Sequence, residues 1–154
     1  MTDLDVAYVP TPRNIVRQML LLARLRRGEF LYDLGAGDGR ILIEAARKFG
    51  ARCAGVEIDP ERIAKLKERL AATGIEAEVI EGDLMKVDLS KADVVTIYLS
   101  DSVNSKLAPK LARELKSGSR VVSLDYLLPG WQQQKELTVK NAAMERKVYL
   151  YVAN

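Results

Sequence analysis

The stretch FLYDLGAGDGR, residues 30–40, joins an apolar strand pattern to three glycines at alternate positions and then to a helix pattern. A glycine turn between a strand and a helix lets the backbone approach a ligand closely, and it is typical of α/β folds. Several classes of nucleotide-like ligand are bound in this way. The side chains around the glycines therefore decide which ligand is expected here.

Strand and helix patterns alternate through the rest of the chain. Thr11 and Pro12 are expected to be the N-cap and the first residue of a helix over roughly 12–26. Further helices are expected at about 39–48, 60–72 and 103–115. Strands are expected at 30–34, 52–58, 76–81, 93–99 and 119–127, followed by an antiparallel pair at 135–140 and 146–153. This order predicts an open α/β sandwich that binds ligands outside the carboxyl ends of its strands.

Length and composition bound the architecture and the cellular context. The 154 residues are 48% hydrophobic and 29% charged, without an internal repeat, so one globular domain over residues 1–154 is expected. A single cysteine, Cys53, permits no intramolecular disulfide, and neither a signal peptide nor a membrane-spanning stretch is recognisable. These features indicate a cytoplasmic protein. The four asparagines and four glutamines are few, which points faintly to a thermophilic source.

Histidine is absent from the chain, and its absence excludes several kinds of chemistry. A Ser-His-Asp triad requires an imidazole base, and most catalytic zinc sites use imidazole ligands. The net charge of +3 is mild and permits an acidic partner without requiring one. The reaction is therefore expected to need neither a histidine base nor a zinc ion, and no metal site is predicted.

The charges around the glycines favour one class of ligand. No Lys-Ser/Thr pair follows the turn, so a P-loop is excluded, and Gly35, Gly37 and Gly39 are spaced too closely for a dinucleotide fingerprint. Asp33 and Asp38 would also face a pyrophosphate, and each like-charge contact would cost about 4 kcal/mol at about 4 Å. S-adenosylmethionine carries an ammonium and a sulfonium in place of phosphates. The acidic turn therefore favours S-adenosylmethionine.

Two further carboxylates follow the next two predicted strands. Glu57 ends the second strand, where its side chain can accept both hydroxyls of a ribose. Asp83 follows the third strand, where it can meet an adenine amino group. The alternative is that both carboxylates only cap the helices that follow. Three acidic positions at successive strand ends are stronger evidence for S-adenosylmethionine than the glycine turn alone.

Successive motifs of the chain resemble those of the class I S-adenosylmethionine-dependent methyltransferases. DLGAGDGR at 33–40, VEID at 56–59 and GDL at 82–84 are similar to the motifs that follow the first three strands in that family. YVPTP at 8–12 and SRVVSLDY at 119–126 extend the resemblance to the small archaeal broad-specificity protein lysine methyltransferases. These are distant relatives of the non-SET histone lysine methyltransferases. The resemblance covers nearly all of the chain.

This resemblance implies a fold, a cofactor and a set of contacts. The fold is a Rossmann-like sheet of seven mostly parallel strands, with an antiparallel last strand and helices on both faces. The N-terminal segment would lie over the cofactor near a lysine channel. One departure is the polar run YLSDSVN at 98–104, where the family usually has apolar residues. The residues expected to bind S-adenosylmethionine are Tyr8, Pro10, Thr11, Asp33, Gly35, Ala36, Gly37, Glu57, Ile58, Asp83, Leu84 and Tyr98.

An amine acceptor makes modest demands on the protein. In-line attack on a methyl group requires a neutral nitrogen, alignment and the exclusion of water. Neutralising a lysine at pH 7 costs about 4.6 kcal/mol, and a narrow apolar channel lowers the lysine pKa by desolvation. Tyr8 and Tyr98 are the catalytic candidates, because a tyrosine ring excludes water while its hydroxyl orients the amine. Both could instead be ordinary half-buried tyrosines.

The residues that follow the fourth and fifth predicted strands bear on which other methyl acceptors are possible. The Asn/Asp-Pro-Pro-aromatic motif of adenine or glutamine methyltransferases is absent, and Cys53 lies in the second strand, away from where a cytosine nucleophile belongs. A magnesium-dependent O-methyltransferase could use Asp101 and Asp125, but Tyr126 stands where a third ligand is expected. RNA methylation and a non-catalytic cofactor-binding module also remain open.

Partner recognition is only weakly encoded. Arg13, Arg17, Arg24 and Arg27 fall near one face of the first predicted helix, which would attract acidic protein or RNA or simply be solvated. Trp131 could face a target or cover the terminal hairpin. The expected partners are proteins that present exposed lysines to a monomeric enzyme. Residues 1–11 are expected to act as a lid over the cofactor, because the prolines of AYVPTP reduce the entropy lost on ordering.

Overall fold

A computed structural model of the chain describes residues 11–140 and 144–154. Its helices are α1 (Arg13–Leu22), α2 (Arg40–Phe49), α3 (Pro60–Thr73) and α4 (Asp101–Glu114). Its strands are β1 (Phe30–Leu34), β2 (Arg52–Glu57), β3 (Glu78–Glu81), β4 (Val94–Ile97), β5 (Arg120–Leu124), β6 (Lys135–Lys140) and β7 (Glu145–Val152). Within the described ranges, no helix is long and apolar enough to cross a membrane.

The seven strands form one sheet in the order β3-β2-β1-β4-β5-β7-β6. The first five strands are parallel to one another, and β7 is inserted antiparallel between β5 and β6. The predicted α/β fold with a mostly parallel seven-stranded sheet is therefore confirmed. The chain crosses from β3 to β4 past β1, so the strand order reverses between β1 and β4. Ligands bind at such a reversal in open α/β sheets, outside the carboxyl ends of the strands.

Alternate residues of the strands fill two cores, one on each face of the sheet. Leu31 packs with α1 and α2 on one face, whereas its neighbour Tyr32 packs with α4 on the other. β4 is buried along its whole length. Its continuous apolar run is typical of a strand that is covered on both faces. Helices therefore cover both faces of the central strands.

The first helix differs from its prediction at both ends. Thr11 is not its N-cap: Pro12 has an extended ψ of 147° and stands outside the helix, and its carbonyl accepts the amides of Ile15 and Val16. The helix ends at Leu22 because the chain turns into the left-handed region at Arg24, with φ 54°. Arg24 therefore does not continue the helical face that the arginine spacing predicted.

The other helices begin and end at chemically recognisable residues. Asp59 caps α3 by accepting the amide of Glu61, and α3 ends at the left-handed Gly74. α4 begins two residues earlier than expected, because Ser100 accepts the amide of Val103 and so caps the helix. Asp101 occupies the first turn of α4 and is not its cap.

Candidate active site

The glycine turn follows β1 and is tied to the neighbouring strand by its backbone. The amides of Gly35 and Ala36 both donate to the carbonyl of Val56, at 2.8 and 2.9 Å. Gly35, Gly37 and Gly39 all have positive φ, which a residue with a side chain rarely adopts. The turn is thereby held at the carboxyl end of β1 before α2 begins.

Two of these glycines are also required by close packing. A Cβ atom on Gly35 would stand 3.2 Å from a side-chain carbon of Leu99, and one on Gly39 only 2.4 Å from a side-chain carbon of Leu66. Leu99 follows β4 and Leu66 lies on α3. The turn therefore lies directly against neighbouring elements, and a larger residue would push it out of place.

Glu57 is held rigidly at the end of β2 by backbone amides. Its Oε1 accepts the amide of Gly37 at 2.8 Å, and its Oε2 accepts the amides of Ile58 and Asp59 at 3.0 and 3.1 Å. The residue is 1% exposed. A carboxylate oxygen can accept two hydrogen bonds, so Oε1 retains capacity for a further donor. Glu57 thus joins the glycine turn to the end of β2 and presents a buried negative charge there.

The two aspartates of the turn have different partners. Asp33 is 4% exposed at the end of β1, and its Oδ1 accepts a hydrogen bond from the Thr96 hydroxyl of β4 at 2.9 Å. Asp38 is paired with Arg40 at 2.6 Å and with Arg69 at 3.3 Å. Although burial opposes ionisation, the hydrogen bonds and charge of Arg40 leave the pKa of Asp38 below its ordinary value. The two arginines therefore compensate the charge of the ionised Asp38. The net negative charge at the turn is smaller than the sequence predicted.

Asp83 follows β3 and caps a single turn of 3-10 helix. Its Oδ1 accepts the amide of Met85 at 2.9 Å, so its capping role is real and leaves the second oxygen for another donor. Leu84 is buried beside it, and Ile58 lies next to Glu57 on a surface that also includes Gly82. The ends of β1, β2 and β3 thus bring Asp33, Glu57 and Asp83 to one edge of the sheet.

The predicted residues of the N-terminal segment divide at the limit of the described chain. Tyr8 and Pro10 lie outside the described residues. Thr11 is 6% exposed, and its carbonyl accepts a hydrogen bond from Arg40 at 3.0 Å. Because Arg40 also binds Asp38, Thr11 is fastened to the glycine turn by a contact that involves its backbone.

The second catalytic candidate, Tyr98, lies immediately after β4 on the other side of the strand reversal. Its half-buried ring stacks on Tyr126, which follows β5, with ring centres 6.2 Å apart and planes inclined by 23°. The guanidinium carbon of Arg146, from β7, lies 5.3 Å from the centre of the Tyr98 ring. Burial raises the pKa of the Tyr98 hydroxyl. Tyr98 therefore presents a neutral phenol at physiological pH.

Asp125 forms an ion pair in the same place and does not act as a free carboxylate. Its Oδ2 lies 2.8 Å from Nε and 2.7 Å from Nη2 of Arg146, whose side chain is only 8% exposed. Within residues 11–140 and 144–154, no three His, Cys, Asp or Glu side chains are grouped to hold a metal ion. Asp125 is thus a poor magnesium ligand, which removes support from the O-methyltransferase alternative.

A comparison with known proteins identifies the family. The sequence profile of the ANTKMT methyltransferase domain matches residues 33–135. The chain belongs to this methyltransferase family. The matched region runs from Asp33 of the glycine turn to the beginning of β6 and contains most of the strand ends described above. The predicted resemblance to class I methyltransferases is therefore confirmed.

Individual relatives agree with this assignment. The chain is 44% identical over 150 residues to a protein-lysine N-methyltransferase of Saccharolobus islandicus, covering 96% of this chain and 93% of that protein. It is 39% identical over 132 residues to the mouse adenine nucleotide translocase lysine N-methyltransferase, covering 84% of this chain and 57% of the relative. The chain thus spans little more than half the length of that animal relative. A crystal structure of an RNA methyltransferase from Salinibacter ruber with S-adenosyl-L-homocysteine superposes with a TM-score of 0.86 at 43% identity, covering 94% and 93% of the two chains.

Sequence reasoning missed several residues of the site in this family member. Thr96, Leu99, Arg69 and Arg146 all contact predicted residues but lie far from them in sequence. No motif marks these positions, and only the pairing of strands and helices brings them together. The alternation in β7 could have placed Arg146 on the same face as the buried Val148, which is an unusual position for a charged side chain.

Trp131 has a structural role in the fold. Its indole nitrogen donates to the carbonyl of Ala108 in α4 at 3.1 Å, and its ring meets Tyr151 edge-on at 6.3 Å. It therefore packs the segment after β5 against α4. This contact agrees with the alternative in which Trp131 covers the terminal hairpin.

A cationic cleft lies between α1, α2 and α3, and its volume is about 400 Å³. Six of its lining residues are cationic: Arg13, Arg17, Arg40, Arg47, Lys48 and Arg69. Glu44 also lines it and pairs weakly with Arg17, at 3.5 Å. Arg24 and Arg27 are not among its lining residues, so the predicted row of four arginines is wrong as a single face. The cleft instead combines two of those arginines with cations of the next two helices.

Proposed function

We propose that this chain is an S-adenosylmethionine-dependent protein-lysine N-methyltransferase. The observation that carries this proposal is the 44% identity to a protein-lysine N-methyltransferase that aligns with nearly all of both chains. The geometry supports it, because acidic strand ends suited to a cationic cofactor lie beside a neutral phenol suited to an amine. We also propose that its range of protein targets is broad, since YVPTP and SRVVSLDY resemble the broad-specificity archaeal lysine methyltransferases.

The cofactor occupies the edge formed by β1, β2 and β3. When bound, S-adenosylmethionine supplies a methyl group on a positively charged sulfur. Glu57 accepts the ribose hydroxyls, Asp83 accepts the adenine amino group, and Asp33 faces the ammonium. The remaining contacts come from Gly35, Ala36, Gly37, Ile58, Leu84 and Tyr98, with Tyr8, Pro10 and Thr11 from the N-terminal side.

The acceptor lysine enters from the side of β4 and β5. The Tyr98 hydroxyl would accept a hydrogen bond from an N–H of the neutral amine, which would leave the nitrogen lone pair available for a methyl group supplied by the cofactor. No strong base is needed, because desolvation and the nearby sulfonium both disfavour the ammonium form of lysine. Asp125 does not oppose this effect, because its charge is compensated by Arg146.

The N-terminal segment completes the site as a lid. Tyr8 excludes water from the methyl group, while Thr11 continues the segment into the turn that Arg40 fastens. Deleting residues 1–9 should leave the melting temperature nearly unchanged and should lower methyl transfer by about tenfold or more, since water exclusion is lost. Tyr8→Phe should cost less activity than Tyr8→Ala. A truncated protein with wild-type transfer would remove Tyr8 from the mechanism.

One labelling experiment tests the proposed function. The protein is incubated with methyl-labelled S-adenosylmethionine and a cell extract, and the products are digested separately with protease and with ribonuclease. Label that only protease releases, and that amino-acid analysis recovers as methylated lysine, supports the proposal. Absence of all label, while calorimetry still detects cofactor binding, would contradict it and indicate a non-catalytic binding module.

RNA methylation is the second candidate, favoured by two observations. The superposed Salinibacter ruber structure is described as an RNA methyltransferase. The cationic cleft could also attract a phosphate backbone, because six cations line it, whereas Glu44 is the one acidic residue among the described lining residues. Ribonuclease-sensitive label in the same experiment would establish this candidate and contradict lysine methylation.

We further infer that the enzyme works as a monomer in the cytoplasm of an archaeal thermophile. The archaeal relative and the single buried cysteine support this inference. Sedimentation equilibrium over a range of protein concentrations tests the oligomeric state. A constant mass equal to one chain, 17.1 kDa, is the expected result.

A further inference from the structure

Four side chains from three separate parts of the chain converge beside the strand reversal. Arg146 from β7 covers the ring of Tyr98 at 5.3 Å and pairs with Asp125 at 2.7 Å. Tyr126, adjacent to Asp125, stacks on the same Tyr98 ring at 6.2 Å. Because β7 is antiparallel, its first residues lie at the same edge as the carboxyl ends of β4 and β5. The cluster is therefore part of the edge at which the acceptor is expected.

This arrangement is costly for the folded protein. Arg146 is 6% exposed, whereas the side chain of its partner Asp125 is 27% exposed. Burying the guanidinium costs desolvation free energy, which the attraction within the pair recovers only in part. Asp125 also has a positive φ of 66°, the left-handed region that non-glycine residues seldom occupy. Strained backbone and buried charge occur together most often at functional sites. The cluster thus calls for an explanation beyond stability.

Joining β5 to β7 is not a sufficient explanation. The two strands are already paired over five residues on each strand. The Asp125 amide extends that ladder by donating to the Lys147 carbonyl, and the Lys147 amide donates to Oδ1 of Asp125. An ion pair on the same hairpin, Lys147 with Glu136 at 3.0 Å, is exposed and makes no contact with Tyr98. The buried pair differs from this neighbour because its cation covers the tyrosine.

We propose that Arg146 is a positioning residue that orients the Tyr98 hydroxyl toward the acceptor amine, with Asp125 holding and neutralising the guanidinium. This inference rests on the proposed function, since it takes Tyr98 as the residue that contacts the acceptor. A planar guanidinium over an aromatic face restrains the ring, and Tyr126 restrains it by stacking. Fixing the ring fixes the direction of its hydroxyl, which is what alignment of the amine requires.

The charge of the cluster also suits an amine acceptor. An unpaired arginine would repel an approaching lysine ammonium, and an unpaired aspartate would stabilise the ammonium that cannot react. The Arg146–Asp125 pair carries no net charge, so it neither repels the ammonium nor stabilises it. It therefore supplies a rigid support for Tyr98 without trapping the acceptor in its charged form.

Arg146→Met, Arg146→Lys and Asp125→Asn test this inference, with Lys147→Gln as the matched control that breaks the exposed pair on the same hairpin. Asparagine tolerates the left-handed backbone and can still accept the Lys147 amide, so Asp125→Asn removes mainly the charge. Methyl transfer is measured with polylysine as acceptor, and the affinity for S-adenosylhomocysteine is measured by calorimetry. The orientation of Tyr98 is followed separately by a near-ultraviolet ionisation titration, with Tyr98→Phe identifying its signal.

Arg146→Met should lower kcat by about two- to tenfold, no more than the loss of the Tyr98 hydroxyl itself, with little change in KM or cofactor affinity, because orientation rather than binding is lost. Arg146→Lys should recover only part of kcat, since it keeps the charge without the planar group. Both variants should shift the Tyr98 titration, and Lys147→Gln should change neither quantity. An Arg146→Met enzyme with wild-type kcat and an unshifted titration would overturn the inference.

Two further outcomes remain decisive. If Arg146→Met does not fold, a Tyr98 titration that is unshifted in both Arg146→Lys and Asp125→Asn would overturn the inference. If the wild-type enzyme methylates no protein, the proposed function fails, while a shifted Tyr98 titration would still support positioning by Arg146. The two failures are therefore distinguishable.

Discussion

Two carboxylates at opposite sides of the strand reversal are held in different ways. Glu57, in the cofactor half formed by β1–β3, is bound by three backbone amides and no cation among the described residues. Asp125, in the acceptor half formed by β4, β5 and β7, is bound by Arg146. Glu57 therefore keeps its charge, whereas the charge of Asp125 is compensated.

This difference matches what each half must bind. A cationic cofactor is stabilised by fixed negative charge, and backbone amides orient a carboxylate without cancelling it. An amine acceptor must lose its proton, so uncompensated negative charge beside it would oppose the reaction. The chain thus uses carboxylates on both sides of the reversal. Backbone amides hold Glu57 where the ligand is a cation, and an arginine compensates Asp125 where the ligand is an amine.

The largest expected effect concerns Glu57. Glu57→Gln preserves the size of the side chain but removes the charge, so cofactor affinity should fall by about 1–3 kcal/mol, or roughly 5- to 150-fold. Calorimetry with S-adenosylhomocysteine measures the change. Glu136→Gln, which breaks an exposed pair with Lys147 on the β6–β7 hairpin, should leave the affinity unaltered. Equal affinity in both variants would contradict the role given to the cofactor half.

An ion pair lies at the amino ends of β1 and β5, away from the candidate site. Breaking it should change the stability of the fold without changing methyl transfer. Arg120 meets Glu29 at 2.6 Å, and both side chains are 15% exposed. Arg120→Met should cost about 2 kcal/mol of unfolding free energy, because Glu29 loses its charged partner. Urea denaturation measures this loss. Methyl transfer per folded molecule should stay at the wild-type value, since neither residue is near the strand ends that form the site.

The same pair predicts a dependence of stability on pH. A hydrogen bond from Arg120 holds the pKa of Glu29 below its ordinary value, although burial opposes this. A depressed carboxyl pKa contributes stability above the unfolded-state pKa, and that stability is lost as the pH falls through the folded-state pKa. Unfolding free energy should therefore decline in the acid range, and less so in Glu29→Gln. An identical acid decline in wild type and variant would contradict the prediction.

A smaller effect is expected at Tyr98 itself. Tyr98→Phe keeps the aromatic body and loses the hydroxyl, so methyl transfer should fall by about two- to tenfold, the worth of one hydrogen bond. Tyr98→Ala should cost more, because water enters the acceptor half. Steady-state kinetics measure both, and cofactor affinity should be retained in Tyr98→Phe. A Tyr98→Phe enzyme as impaired as Tyr98→Ala would show that the hydroxyl, and not water exclusion, dominates.

The smallest effect is expected at Cys53, the second residue of β2. Cys53 is 4% exposed, and burial raises the pKa of its thiol to about 12. The thiol should therefore be inert toward alkylating reagents in the native protein and reactive once the protein unfolds. Cys53→Ala should lower the unfolding free energy by about 1 kcal/mol at most, with transfer unchanged. Rapid native alkylation would show that β2 opens more readily than its packing indicates.

The cofactor half could be predicted because its determinants are local. Glycines, Glu57 and Asp83 stand directly after strands, so their position at one edge follows from the alternation of strands and helices. The predicted N-cap of the first helix is wrong for an equally local reason, because Pro12 and not Thr11 holds that position. The pairing of Asp38 with Arg69, 31 residues away, could not be predicted from a turn motif.

By itself, the sequence determined the α/β fold, the methyltransferase family and the carboxylates of the cofactor half, because short-range patterns encode strands, turns and the residues at their ends. The tertiary structure alone decided which carboxylates of the site are paired with an arginine. Arg146 follows Asp125 by 21 residues and Tyr98 by many more, and the insertion of β7 beside β5 brings the three together. Such convergence depends on strand order and register, which side-chain periodicity does not specify.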